Sequence, residues 1–290
     1  MDIGLKLKEL RILKGLTQEE LADRAELSKG FISQIERNLT SPSIATLMDI
    51  LQCLGTTTAD FFTEAPDEQI VFGKADYFEK IDTEEKAYWL GFMFADGYIV
   101  DYSNRYGEDK FGMTLHSKDV SSLEAFKKSI QATNPITDVS YNGRTLRRII
   151  MSSQKTVNDL ISHGCVKQKS LILKPPIGVP DELLHHFIRG FFDGDGSLYW
   201  NKSYFQAHEG WNTPSYSICI TSTKEMVEWL IQILGDGKIY KEERREKTFY
   251  FKLGGNIKVR HFCKYIYKDA TIFMERKYNY YKELCEISGN

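Results

Sequence analysis

The sequence predicts an α+β protein in which two pseudo-symmetric αββαββα repeats form a two-sheet saddle, preceded by a small all-α domain. Three observations predict it. Two apolar runs of helical length, Ala87 to Gly97 and Leu184 to Gly196, align residue for residue when Gly91 is set on Gly190, and each ends on an Asp-Gly pair. Beyond each run the same order of alternating and helix-periodic segments follows. Residues 1–65 carry only helical periodicity, broken by cap and turn residues.

The N-terminal domain reads as four helices. The first carries Leu5, Leu7, Leu10 and Leu13 and stops at Gly15. Thr17 opens a capping box with Glu20 for the second helix, which runs through Leu21 and Ala25. Ser28 caps a third helix, Lys29 to Arg37, after the tight turn Ala25-Glu26-Leu27. The fourth starts at Ser43, buries Ile44, Leu47, Ile50, Leu51 and Leu54 at helical spacing, and ends at Gly55. Two short helices joined by a tight turn make a helix-turn-helix, whose second helix enters the major groove of duplex DNA.

The runs Leu16-Thr17-Gln18-Glu19-Glu20-Leu21-Ala22 and Ser28-Lys29-Gly30-Phe31-Ile32-Ser33-Gln34-Ile35-Glu36-Arg37 resemble the lambda-repressor-like helix-turn-helix family over residues 3 to 62. The resemblance implies that Gln18 contacts phosphate and that Lys29, Gly30, Ser33 and Gln34 face base edges, with Lys29 suited to guanine. Phe31, Ile32 and Ile35 read as packing residues. Residues 1–65 hold seven Lys/Arg against ten Asp/Glu, so modest affinity is expected. Residues 66–80 are read as a linker. Its Gln69 to Phe78 segment looks like the connection to a small-molecule-sensing barrel in some bacterial repressors, here without the barrel.

Residues 81–178 form the first repeat and 179–290 the second. After the first apolar helix, Tyr98 to Tyr102 and Phe111 to Ser117 alternate as strands, followed by a helix with Val120, Leu123, Phe126 and Ile130. A hairpin turning at Asn142-Gly143 and a helix through Val157 and Leu160 complete the repeat. The second repeat offers strands at Ser197 to Phe205 and Tyr216 to Thr221, and a helix with Met226, Val227, Leu230 and Leu234. Strands Lys238 to Glu243 and Thr248 to Leu253 and a helix near Asn256 follow.

Gly91 with Ala95, and Gly190 with Gly194, give each apolar helix a strip almost free of side chain, so the two backbones can approach closely. Glycine after each run supplies an expected left-handed cap. Facing strips set Asp96 and Asp195 side by side, each at the negative end of a helix macrodipole. Two close carboxylates repel, and one takes up a proton unless a cation sits between them. Oxygen ligands alone select a hard ion such as Mg2+ or Ca2+. The plain alternative is two core helices with incidental terminal acids.

The two runs, with acids 99 positions apart, resemble the paired motifs of single-chain LAGLIDADG homing endonucleases of the intein-like type, from Ile81 to Glu286. Phe94 stands in the first copy where the second has Asp193, while both terminal acids match. The resemblance implies a metal-dependent endodeoxyribonuclease with Asp96 and Asp195 as catalytic metal ligands, two or three Mg2+ ions, and a cut across the minor groove. It also implies that Lys169 and Lys277 lie beside the scissile phosphate, where a cation stabilises developing charge.

The bounds of the whole chain are those of an ordinary soluble protein, expected in the cytoplasm, and the resemblance to a single-chain enzyme with an internal pseudo-dimer implies a monomer. Hydrophobic content is 42% and charged content 27%. The longest apolar run is too short for a membrane span and no secretory signal is expected. Five cysteines without pairing or zinc spacing read as reduced thiols. His185 and His186 read as helix surface. The net charge of -2 gives no general attraction to nucleic acid, but 237–260 holds eight Lys/Arg against three Glu on expected strands. Duplex DNA is the expected partner, and site-specific cleavage of it the expected function. Alternatives are a regulator using a non-cleaving platform, and an intron RNA maturase.

Overall fold

The computed structural model describes residues 3–14, 16–62, 74–100, 109–141, 144–200, 215–243, 245 and 247–286. The turn expected at Asn142-Gly143, the strand ends at Tyr102 and Phe205, the stop at Gly15 and the start of the Gln69 segment lie outside these residues. The chain divides into two compact units, Met1–Gln69 and Ile70–Asn290.

The first unit contains α1 (Ile3–Leu13), α2 (Gln18–Arg24), α3 (Lys29–Glu36), α4 (Ile44–Cys53) and α5 (Thr58–Phe62). Side chains of Thr17, Ser28 and Ser43 accept from the third backbone N–H of the helix each precedes, and Glu20 completes the capping box by accepting from Thr17 N at 2.7 Å. Leu7, Leu21, Ile32, Ile35, Leu47, Leu51 and Phe61 close a core of their own. Inside it lies a buried ion pair, Arg11 Nε to Glu36 Oε1 at 2.5 Å, with Arg11 also donating to Leu16 O at 2.7 Å. A charge at this depth is tolerable only when paired and hydrogen-bonded, as here.

The second unit is built on α6 (Glu84–Ala95) and α9 (Leu184–Asp195). Around them run β1 (Gly97–Val100), β2 (Lys110–His116), α7 (Val120–Ser129), β3 (Thr137–Tyr141), β4 (Arg144–Ser152) and α8 (Gln154–Ser162) in the first repeat. The second repeat repeats the order with β5 (Gly196–Trp200), β6 (Tyr216–Ser222), α10 (Lys224–Leu234), β7 (Lys238–Lys241), β8 (Phe249–Gly254) and α11 (Asn256–Ile266). A final helix, α12 (Glu275–Glu286), has no expectation behind it. The antiparallel sheets have matching orders, β1-β2-β4-β3 and β5-β6-β8-β7. Equivalent registers, Gly97 opposite Met113 and Gly196 opposite Ile220, confirm the duplication. Inward residues such as Phe111, Met113, Ile149, Ile218, Ile220 and Phe251 bury one face of each sheet.

The small-residue strips do face each other. A Cβ on Gly91 would overlap Phe187 O, and one on Gly190 would overlap Tyr88 O, so the backbones touch where the helices cross. The glycines after the acids work differently from the left-handed caps expected of them. Gly196 has φ -83° and ψ 153°, extended backbone that enters β5 directly, and Gly97 opens β1. Glycine is needed there for space. A Cβ on Gly97 would lie 2.6 Å from Met93 O, and one on Gly196 2.5 Å from Phe192 O.

Two further expectations are corrected. Residues 74–80 are not linker throughout, since Tyr77 and Phe78 are buried in the core of the second unit and Phe78 O lies 2.8 Å from His163 Nε2. His185 and His186 are buried, not surface, because the segment leading to α12 covers that end of α9. There the fully buried Arg189 donates to Ile266 O and Ile272 O at 2.8 Å and to Glu84 Oε1 at 2.6 Å. Glu84 also accepts from Thr271 N at 2.7 Å, so this network ties the first helix of one repeat to the last segment of the other. Burial, then the Arg189 charge, holds His186 down to about 4.

Gly190→Ala is expected to lose at least about 1–3 kcal/mol, because the added methyl meets backbone that cannot swing aside. Denaturant unfolding of the second unit measures it, and an unchanged midpoint would mean that the helices do not cross at this point.

Candidate active site and DNA interfaces

Asp96 and Asp195 sit where α6 and α9 run out, side by side because Gly194 packs on Ala95. An added Cβ on Gly194 would lie 3.3 Å from Asp96 Oδ2, which measures how close the second helix end comes to the first acid. Burial pushes the Asp96 carboxyl up while Lys169 and Lys277 pull it down. Asp195, exposed toward a cleft of about 740 Å3, is pushed up to about 6, first by dense protein around its remaining sides and next by the Asp96 charge. The pair is thus held in a state that disfavours two negative charges.

Both lysines reach this spot. Lys169 Nζ donates to Ala95 O, and Lys277 Nζ donates to Phe192 O at 2.5 Å, Asp193 O at 2.8 Å and Gly196 O at 2.5 Å. Carbonyls at a helix C-terminus run short of backbone donors and carry the negative end of the dipole, so an ammonium there answers both demands, although Phe192 O also accepts from Gly196 N. Lys277 is almost fully buried, and burial brings its ammonium down to about 8 against the opposing pull of Asp193. Lys169 is lowered by burial too.

Asp193, read from the sequence only as a difference between the repeats, proves part of the construction. It is buried, and its Oδ2 accepts from Tyr88 Oη at 2.9 Å and from Met274 N at 2.8 Å, which fixes the approach to α12 and hence Lys277. Burial raises its carboxyl to about 6. Phe94 takes the matching place in the first repeat and packs edge-on against Phe187, ring centroids 5.0 Å apart. An acid inside an apolar helix run is the available sequence signal for such a buried partner.

Among the described residues no group of three or more His, Cys, Asp or Glu is arranged to hold a metal alone. Two carboxylates suit a hard divalent ion whose remaining ligands are water and phosphate oxygens, the usual way Mg2+ is held.

In the first unit, α3 presents Lys29, Gly30 and Gln34 to solvent, with Ser33 half-buried. Lys29 forms an exposed pair with Glu19 at 3.0 Å, of small worth in water and easily exchanged. Gln18 Nε2 donates to Glu36 Oε2 at 2.7 Å, so the buried Arg11–Glu36 pair orients its side chain. On the second sheet's outward face Lys252 stands 5.0 Å from the Tyr240 ring and 5.4 Å from the Tyr250 ring. On the first, Lys110, Thr114, Arg148 and Thr137 share the outward register.

The helix-turn-helix family profile matches residues 7–61. An uncharacterised helix-turn-helix transcriptional regulator of Sinorhizobium fredii is 35% identical over 71 residues, 24% of this chain and 90% of that one. Through its N-terminal unit, the chain belongs to the helix-turn-helix family. The regulator PuuR of Escherichia coli is 38% identical over 79 residues, 26% of this chain, and this chain spans only 43% of its length. The LAGLIDADG meganuclease I-AabMI, solved bound to uncleaved DNA, matches with a TM-score of 0.50 at 13% identity, over 70% of this chain and 89% of that one. The helix-turn-helix unit is therefore followed by a unit with the LAGLIDADG fold. Among the described residues no helix is long and apolar enough to cross a membrane.

Asp195 makes the metal-free LAGLIDADG unit pH-sensitive. Its folded pKa lies above the unfolded value of about 3.9, so the cost is absent below about pH 4, grows as pH rises, and is complete above about pH 6. Discounted for its solvent-exposed side, the cost is about 1 kcal/mol. Asp195→Asn should therefore raise the metal-free Tm by roughly 2–4 °C at pH 7.5 and by nothing at pH 4. Scanning calorimetry at both pH values checks this, and equal shifts would assign the gain to packing.

Proposed function

We propose that the protein is a site-specific endonuclease that hydrolyses phosphodiester bonds of double-stranded DNA with Mg2+, acting as a monomer whose two repeats replace a symmetric dimer. The observation that carries this reading is the pair of helices ending in adjacent, strained carboxylates with a lysine at each helix end. Asp96 and Asp195 would hold divalent ions. Bound there, such an ion lowers the pKa of a water and neutralises charge on the leaving oxygen.

The chain's own residues supply the rest. Lys169 and Lys277, already held at the helix ends, place positive charge where a phosphate gains negative charge during displacement. The outward faces of the two sheets offer strands and side chains to the major groove. Gln18, Lys29, Gly30, Ser33 and Gln34 of the helix-turn-helix unit add a second, tethered contact that raises the local concentration of the nuclease at its site.

Incubation with the protein's own genomic locus, with Mg2+ and with chelator, tests the reading. Mg2+-dependent double-strand scission inside one long protected footprint is expected. Asp96→Asn and Asp195→Asn should lose scission and keep binding, and full-rate cutting by either would remove that carboxylate from the site. Lys29→Ala and Ser33→Ala should weaken binding by about 1–3 kcal/mol per lost base contact and be rescued by excess protein. Protection limited to a short operator-like element, without scission in any divalent ion, would overturn the assignment.

A further inference from the structure

The cleft beside Asp195 has a second wall that the two acids and two lysines do not explain. Its lining includes Lys169 and Ser170 from the first repeat and Arg245 and Lys247 from the second. Arg245 and Lys247 come from the turn between β7 and β8, whose backbone is closed by Thr248 N donating to Arg245 O at 3.2 Å and Glu242 N donating to Thr248 O at 2.9 Å. The first repeat's part of the lining is fixed as well. The buried Thr223 hydroxyl, just beyond β6, donates to Leu173 O at 2.5 Å, which pins the Lys169–Leu173 segment of the first repeat onto the second sheet. Among the described residues, Lys169, Arg245, Lys247 and the Ser170 hydroxyl therefore border one concave space together with Asp195.

The Asp96 side is composed differently. There Asp119 adds a further negative charge that raises Asp96, and the nearby Arg276 is engaged with Asp119, its Nε 3.4 Å from Oδ1. The Asp96 half thus carries a second acid, with its arginine engaged to that acid, whereas the Asp195 half is lined by Lys169, Arg245 and Lys247.

We propose that Arg245 and Lys247 bind backbone phosphates of the strand lying against Asp195, as positioning residues that make the two half-sites unequal. The proposal rests on the endonuclease reading and extends it. Arginine clamps phosphate oxygens through its planar fork and lysine through a mobile point charge, so the pair can hold neighbouring phosphates on either side of the one to be cut. Each cation that neutralises a phosphate releases condensed counterions, which gives the contact a signature in salt dependence that a packing role lacks.

The test uses the full chain, the duplex carrying the cut site, and labels of different colour on its two strands. Binding is measured in Ca2+ over a series of salt concentrations, and strand scission in Mg2+. For Arg245→Ala/Lys247→Ala, the slope of log affinity against log salt should flatten by roughly 1.8, about 0.9 for each lost contact. Affinity at low salt should fall at least tenfold. The strand served by Asp195 should be cut later than its partner, so that nicked duplex of one polarity accumulates. The charge-keeping exchange Arg245→Lys/Lys247→Arg should restore the slope and most of the balance. An unchanged slope with unchanged strand order in the alanine variant overturns the proposal, as does equal delay of both strands. If the wild type neither binds nor cuts any duplex, the endonuclease reading itself fails, which is a different result from failure of the variant alone.

Discussion

Backbone contact between α6 and α9 is the constraint on which the second unit depends. Gly91 and Gly190 remove every side chain from the crossing, so the carbonyls of Tyr88 and Phe187 lie against the facing helix. Such an approach leaves no freedom in how the two helix ends meet. Asp96 and Asp195 are neighbours because nothing at the crossing can hold them apart. The sheets follow from this too, since Gly97 and Gly196 must be small to let β1 and β5 leave the helices at once.

The cost of this arrangement is electrostatic, and the fold offsets only part of it. Two acids and two dipole ends of the same sign converge. Lys169 and Lys277 answer the dipole ends by donating to the last carbonyls, and Asp193 with Tyr88 fixes the chain that carries Lys277. Neither lysine fully relieves the carboxylates, whose protonated forms remain favoured by burial. On the proposed reading a bound cation would relieve this cost, so the site would trade stability for function. The network of Arg189 and Glu84 toward the other end of the helices also holds the repeats together, and Arg189 stands 5.3 Å from the ring of Tyr88, the residue that donates to Asp193.

Much of this was legible in the sequence because it is periodic. The duplicated run, the small residues at a spacing of four and the terminal acids depend on local spacing, and the caps at Thr17, Ser28 and Ser43 depend on three-residue intervals. What was not legible depends on distant partners. His185 and His186 look like surface until residues some 80 positions later cover them, and Arg189 is tolerable in α9 because Ile266 O, Ile272 O, Glu84 and His186 Nδ1 accept its hydrogen bonds. The role of Asp193 needs Tyr88 from the other repeat. Tyr77 and Phe78 sit in a stretch of mixed charge that resembles linker, yet both are core. Glycine after each acid suggests backbone freedom in the sequence, whereas in the fold it leaves room for Met93 and Phe192.

Cation binding measured together with proton release tests the central physical claim most directly. Ca2+ is titrated calorimetrically into the protein–duplex complex in buffers of different ionisation enthalpy. Because the carboxylates must be ionised to act as ligands, and because the Lys277 ammonium itself lies at about 8, the titration is made on Lys277→Arg, where binding at about pH 6 should release protons and binding at about pH 8 almost none. The Asp96→Asn/Asp195→Asn double variant should lose the binding. Undiminished Ca2+ binding by that variant, or equal proton release at both pH values, would contradict the view that these helix ends form a cation site held open by carboxylate repulsion.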